Sequence, residues 1–194
     1  MEAYLEIILG PMFSGKTTAL IEKYNEILKK GHEVCVINYA DDIRYSKTQL
    51  STHDQKMIDC IQLKKLHDLK EVKEKYILIN EAQFFDDLYD FVSNKLKNNK
   101  FIYLYGLDGD FQTKKFGQIL DLIPLCDKVK KKTANCTTNF CENKAIFSHS
   151  FGNEYQYLVD IGAVDQIYDS SSNETRCELH YKISIKNGKL FLGE

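Results

Sequence analysis

Eight consecutive residues, Gly10-Pro11-Met12-Phe13-Ser14-Gly15-Lys16-Thr17, carry the most specific chemistry in the chain. They fit the pattern G-x-x-x-x-G-K-[ST]. An apolar run from Tyr4 to Leu9 precedes them, and helical periodicity from Ala19 to Lys30 follows. The two glycines let the backbone curl until successive N–H groups point inward, which suits a phosphate. Lys16 adds a mobile positive charge for the outer phosphates, and the Thr17 hydroxyl is a ligand for Mg²⁺. The start of a helix contributes unpaired N–H donors and the positive end of its dipole. This loop predicts binding of a nucleoside triphosphate.

A second constellation lies far away in sequence. Cys136, Cys141, Cys177 and His180 form two close pairs with spacings Cys-x4-Cys and Cys-x2-His. Four such ligands make a closed tetrahedral zinc site, and a small lobe with little core of its own needs that staple. Cys35 and Cys60 sit in apolar runs and read as core residues, and Cys126 is expected to pack as well. Disulfides are not expected in a reducing compartment.

Two further groups bear on phosphoryl transfer. Glu81 directly follows the apolar run Tyr76–Ile79, where phosphate-loop enzymes carry an acid near the metal. A carboxylate beside a triphosphate can accept the proton of an incoming hydroxyl, so Glu81 is the candidate base. Asn80 takes the metal-side position and contributes no charge, which predicts weaker Mg²⁺ binding. Arg44 is one of two arginines in a chain otherwise furnished with lysine. A planar fork there could neutralise charge shared between donor phosphate and acceptor. Met12, Phe84, Leu107, Phe111 and Phe116 are apolar residues in or near the same loops, suited to holding a flat ring.

The elements needed to bring these groups together are legible. Strands are expected at Tyr4–Leu9, Glu33–Tyr39, Met57–Ile61, Tyr76–Ile79 and Phe101–Tyr105. Helices are expected from Thr17 to about Lys30, from Leu63 to Glu74 and from Phe84 to Lys97. Alternation of this kind predicts an α/β fold, a parallel sheet with helices on both faces, whose ligands gather at the carboxyl ends of the strands. Past about Lys132 the helical periodicity stops, leaving short strand-like pieces at Ala145–Ser148, Tyr157–Ile161 and Lys182–Ile185. The organisation expected is a nucleotide-binding domain over residues 1–132 and a small C-terminal zinc-binding lobe over 133–194.

Composition narrows the class. An apolar fraction of 43% is ordinary for a globular protein, and the net charge of −2 is spread without a basic stripe. That disfavours a nucleic-acid partner. No run is long enough for a membrane span, and Glu2 and Glu6 stand where a signal peptide would be basic. The expected location is cytoplasmic.

Taken in order, GPMFSGKTT, DDIRYS, STHD, NEAQFF, GLDGDFQTKKFGQILDLIPLCDKV and the closing Cys/His set resemble the thymidine kinase family of the cellular and poxvirus type. The resemblance runs from about residue 5 to 181. It implies a RecA-like P-loop NTPase core and transfer of the ATP γ-phosphoryl group to the 5′-hydroxyl of thymidine or deoxyuridine. Mg²⁺, a structural zinc, feedback inhibition by dTTP and a homotetramer are implied with it, in the service of nucleotide salvage and DNA synthesis. By motif, Gly10 to Thr18, Asp42 and Gln83 would contact ATP, with Lys16, Arg44 and Glu81 catalytic. Met12, Phe84, Leu107, Phe111, Phe116, Ser148 and Tyr168 would hold the nucleoside. Asn80 stands where the family usually has an acid. A catalytically weak regulatory subunit with the same fold is the alternative.

Overall fold

Along Tyr4–Leu9 (β1) the side chains alternate between two apolar clusters, and the same alternation recurs in every central strand. Leu5, Ile7 and Leu9 face one cluster while Ile8 faces the other. A strand buried on both faces needs cover on both faces. The computed structural model describes residues 2–40, 49–51, 57–69, 71–137, 140–150 and 173–176.

After β1 come helix α1 (Lys16–Lys29), β2 (Val34–Tyr39), the short strands β3 (Gln49–Ser51), β4 (Met57–Asp59) and β5 (Ile61–Leu63), then β6 (Tyr76–Ile79). Helix α2 (Leu88–Lys97), β7 (Phe101–Gly106) and β8 (Lys128–Lys131) follow. The main sheet is parallel, in the order β5-β2-β6-β7-β1-β8. Leu20, Ile21 and Ile27 of α1 pack with Val36, Leu78, Tyr103 and Tyr105 on one face. Leu88, Phe91 and Val92 of α2 pack with Ile37, Ile79, Ile102 and Leu104 on the other. The expected doubly covered α/β sheet is therefore present. Four smaller strands, β9 (Ala134–Asn135), β10 (Lys144–Ala145), β11 (Phe147–Ser150) and β12 (Asn173–Arg176), form two antiparallel pairs beyond it.

The helix expected over Leu63–Glu74 is not formed. Apolar residues at every third position match a 3₁₀ period better than 3.6, and a single 3₁₀ turn, Leu66–Asp68, stands there. Tertiary partners take the backbone groups that a helix would pair internally. Asp87 accepts from the N–H groups of Leu66 and His67, and Lys100 Nζ donates to the carbonyls of Val72, Lys73 and Glu74. The helix expected from Phe84 starts at Leu88, preceded by a 3₁₀ turn at Ala82–Phe84. The strand expected as Met57–Ile61 is split, β4 pairing with β3 and β5 joining the main sheet. Cys35 is buried, and desolvation pushes its thiol up to about 12, as expected of an inert core cysteine. The pieces expected at Tyr157–Ile161 and Lys182–Ile185 lie outside the described residues.

Candidate functional site

The carboxyl ends of β1, β6, β7 and β8 deliver the site. β1 feeds the phosphate loop, which turns at Phe13 and Gly15, both with positive φ. Gly15 (φ 73°) is left-handed and caps α1, with no side-chain cap and no acid in the first turn. A helix start without an acid in its first turn keeps the positive end of its dipole. Lys16 is buried and arches back over its own loop, donating to the carbonyls of Gly10 at 3.0 Å and Pro11 at 2.7 Å. The Ser14 hydroxyl is buried and has no hydrogen-bond partner among the described residues. A buried hydroxyl in that state costs free energy unless a ligand completes it, and a phosphate oxygen fits the need. Thr17 and Thr18 are half-buried in the first turn of α1.

At the end of β6 the chain bends sharply, because Glu81 adopts the left-handed conformation with φ 52°. Non-glycine residues held there are costly, and they persist where surrounding structure fixes them. Glu81 is only 7% exposed, and its Oε2 accepts from Gln83 Nε2 at 2.8 Å. The other end of the Gln83 amide accepts from the Leu107 N–H at 3.0 Å. Gln83, expected among the ATP contacts, therefore joins the acid after β6 to the loop after β7. Two glycines make room for it. A Cβ on Gly106 would stand 2.5 Å from Gln83 Oε1, and one on Gly117 would collide with the Gln83 carbonyl oxygen.

Asn80 turns away from this cluster into a chain of amides. Its Nδ2 donates to Asn38 Oδ1 at 2.8 Å, and Asn38 Nδ2 donates to Gln62 Oε1 at 3.1 Å. Asn38 and Asn80 are each 1% exposed. The network ties the tips of β6, β2 and β5, with Asn80 as its donor to Asn38.

Of the residues expected to hold a nucleoside, the structure brings Phe84 and Phe116 together edge to face, centroids 5.1 Å apart, with Tyr39 on the other side of Phe84 at 5.2 Å. Met12, Leu107 and Phe111 are buried. Ser148 also reaches the phosphate loop, its Oγ accepting from the Met12 N–H at 3.0 Å. A cavity of about 260 Å³ opens beside this contact, lined by Pro11, Asp108, Thr113, Lys131, Phe147 and Ser148 among others. Phe84, Phe111 and Phe116 do not line it. Asp42, Arg44 and Tyr168 lie outside the described residues.

Cys136 and Cys141 flank the turn joining β9 and β10 and pack in one small cluster with Ala134 and Ala145. β12 lies against both strands. Cys177 and His180 lie outside the described residues, and no group of three or more metal-ligating side chains occurs among the described ones.

A family model for thymidine kinase matches residues 3–181. The chain belongs to the thymidine kinase family. Its relatives span kingdoms. The thymidine kinase of variola virus is 38% identical over 164 residues, covering 84% of this chain and 90% of the viral protein. The cytosolic thymidine kinase of Bos taurus is 36% identical over 166 residues, covering 84% of this chain and 68% of its own length. Thymidine kinase a of Arabidopsis thaliana is 37% identical over 155 residues, covering 74% of this chain and 63% of the plant protein. Within this thymidine kinase family fold, sequence reasoning missed two structural links. One is the Ser148–Met12 contact, and the other is the Asn38–Asn80 pair. Position 38 carried a signal, since an asparagine inside the apolar run Val34–Tyr39 is a buried amide that needs a partner.

Proposed function

We propose that this chain is a thymidine kinase, transferring the γ-phosphoryl group of ATP to the 5′-hydroxyl of thymidine or deoxyuridine. The observation that supports the reading is the coincidence of family membership with a buried, oriented carboxylate, Glu81, at the carboxyl end of β6 in the sheet whose β1 feeds the phosphate loop. The 5′-oxygen forms a bond to the γ-phosphorus as the bond to the β–γ bridging oxygen breaks. ADP leaves with the electron pair, and the hydroxyl proton passes to the Glu81 carboxylate. The curled backbone from Gly10 to Thr18 and Lys16 hold the phosphates, with Asp42 and Arg44 as further contacts. The unpaired Ser14 hydroxyl and the uncapped start of α1 support that use of the loop. Mg²⁺, held through Thr17, supplies charge neutralisation on the β- and γ-oxygens when bound. Met12, Phe84, Leu107, Phe111 and Phe116, with Ser148 and Tyr168, frame the nucleoside. Nothing observed favours the regulatory alternative.

A division into a nucleotide-binding domain (1–132) and a zinc-binding lobe (133–194) agrees with a main sheet that ends at Lys131. A zinc on Cys136, Cys141, Cys177 and His180 is supported by the shared cluster of the first two, and Cys177 directly follows the last residue of β12. Feedback inhibition by dTTP, a homotetramer and a role in DNA synthesis belong to the same proposal. So does a cytoplasmic location, in keeping with the bovine relative's name and with the absence of a membrane-length apolar helix among the described residues. Replacing Glu81 with Gln tests the centre of it. Turnover on thymidine should fall by about 10²–10⁴, the usual contribution of a general base, while ADP binding persists. Near-normal turnover would remove Glu81 from the role.

A further inference from the structure

β8 ends beside the phosphate loop, and the residue that follows it has no role in the account so far. Lys132 donates its N–H to the Leu9 carbonyl at 2.7 Å, continuing the pairing of β8 with β1. Its carbonyl packs against Gly10 so closely that a Cβ there would stand 2.7 Å from the Lys132 oxygen. The backbone is therefore pinned at the mouth of the loop. From that anchor the side chain runs over Gly15. A Cβ on Gly15 would lie 3.7 Å from Lys132 Nζ and 3.9 Å from its Cε. An ammonium thus sits over Gly15, the residue that caps α1. Two lysines of β8 are paired, Lys131 with Asp108 at 2.6 Å and Lys128 with Glu6 at 2.9 Å. Among the described residues no carboxylate pairs with Lys132.

We propose that Lys132 is a second cationic contact for the phosphate chain of the bound nucleotide, acting beside Lys16. The proposal rests on the reading of Gly10–Thr17 as the phosphate loop. The charge balance favours it. A triphosphate is strongly anionic, and Asn80, which carries no charge, is engaged with Asn38. Lys132 places a positive charge over a helix start that is already positive, an arrangement that only an anion stabilises. It also makes nucleotide binding less dependent on Mg²⁺, since part of the neutralisation comes from the chain itself.

The test uses the full chain and ADP as the probe, titrated calorimetrically with Mg²⁺ and with EDTA, alongside steady-state kinetics. Lys132→Met should weaken ADP binding and raise the KM for ATP about tenfold, with the larger loss in EDTA. The KM for thymidine should hold within about twofold. Lys132→Arg should recover most of the affinity, and Lys128→Met, in the preceding strand β8, should leave ADP affinity unchanged. Lys132→Gln provides a second neutral variant should the methionine fold poorly. ADP affinity within about twofold of the parent in both neutral variants would overturn the proposal. Lys16→Ala separates this failure from that of the underlying reading. Loss of ADP binding in Lys16→Ala with none in Lys132→Met rejects Lys132 alone, whereas retention in Lys16→Ala rejects the phosphate loop itself.

Discussion

Replacing Gln83 with Leu removes one side chain and breaks two connections. Gln83 is 2% exposed, so water cannot take the place of either hydrogen bond. The Leu107 N–H loses its acceptor at 3.0 Å, and an unsatisfied buried donor costs about 1–3 kcal/mol. The bond from Nε2 to Glu81 at 2.8 Å is to a carboxylate, a class whose loss costs about 1.5–3 kcal/mol. Taken together, stability should fall by about 3–5 kcal/mol, which for a chain of this length lowers the melting temperature by roughly 10 °C. Glu81 also loses a group that orients it, so kcat should drop about 10–100-fold, a share of what a positioned base contributes. The KM for ATP should stay within about twofold, because the two ends of the amide bond Glu81 and Leu107. Gln83→Glu refines the experiment. It keeps an acceptor for Leu107 and sets a second carboxyl beside Glu81, so stability recovers in part. The acid limb of kcat against pH then moves upward, as two adjacent carboxyls share a proton. Calorimetry and steady-state kinetics on both variants decide the matter. An ATP KM raised more than about tenfold with kcat intact would show that Gln83 contacts the nucleotide, and would refute this reasoning.

Other consequences are open to direct measurement. Gly117→Ala combines a left-handed φ of 60° with a Cβ driven into the Gln83 carbonyl, and should cost about 2–4 kcal/mol in denaturant unfolding with a fall in kcat. A variant as stable as the parent would contradict the packing described. Asp87 supplies a pH dependence. Burial raises its pKa, but hydrogen bonds from the His67 ring and from the N–H groups of His67 and Leu66 outweigh that, leaving it below the usual 3.8. Its contribution is present above about pH 4 and is lost as pH falls from there toward the lower folded value. The stability gap between parent and Asp87→Asn should therefore close on acidification through that window, and urea midpoints that run parallel with pH would exclude it. Metal analysis of purified protein should find about one zinc per chain, lost on Cys136→Ser or Cys141→Ser, and substoichiometric metal in the parent would sink the proposed site.

What sequence could reveal depended on how local each signal was. The phosphate loop is contiguous, its glycines answer to backbone angles and its lysine to charge, so its place at the end of β1 is readable from residue order alone. Buried central strands are equally plain, because burial on both faces leaves an unbroken apolar run. β8 is not, since an edge strand with lysines at three of its four positions, all solvent-facing, has no apolar pattern to read. That omission hid Lys132. The segment from Leu63 to Glu74 misleads because its helix-like spacing is shared with a 3₁₀ turn, and the deciding partners, Asp87 and Lys100, are distant in sequence. Gln83 shows the same limit within the site. Its type and position suggest a polar contact with ligand, and only the fold adds that its amide also joins Glu81 to Leu107. Asn80 reads as a missing charge until Asn38 and Gln62 are seen beside it.

The central claim is a phosphoryl transfer, and γ-labelled ATP tests it most directly. Purified full-length chain would be incubated with Mg²⁺ and, in separate reactions, thymidine, deoxyuridine and deoxycytidine, with Glu81→Gln in parallel. The account predicts label in the 5′-monophosphates of thymidine and deoxyuridine, and a rate about 10²–10⁴-fold lower without the Glu81 carboxylate. Absence of label from every nucleoside, in protein that binds ADP normally, would contradict it.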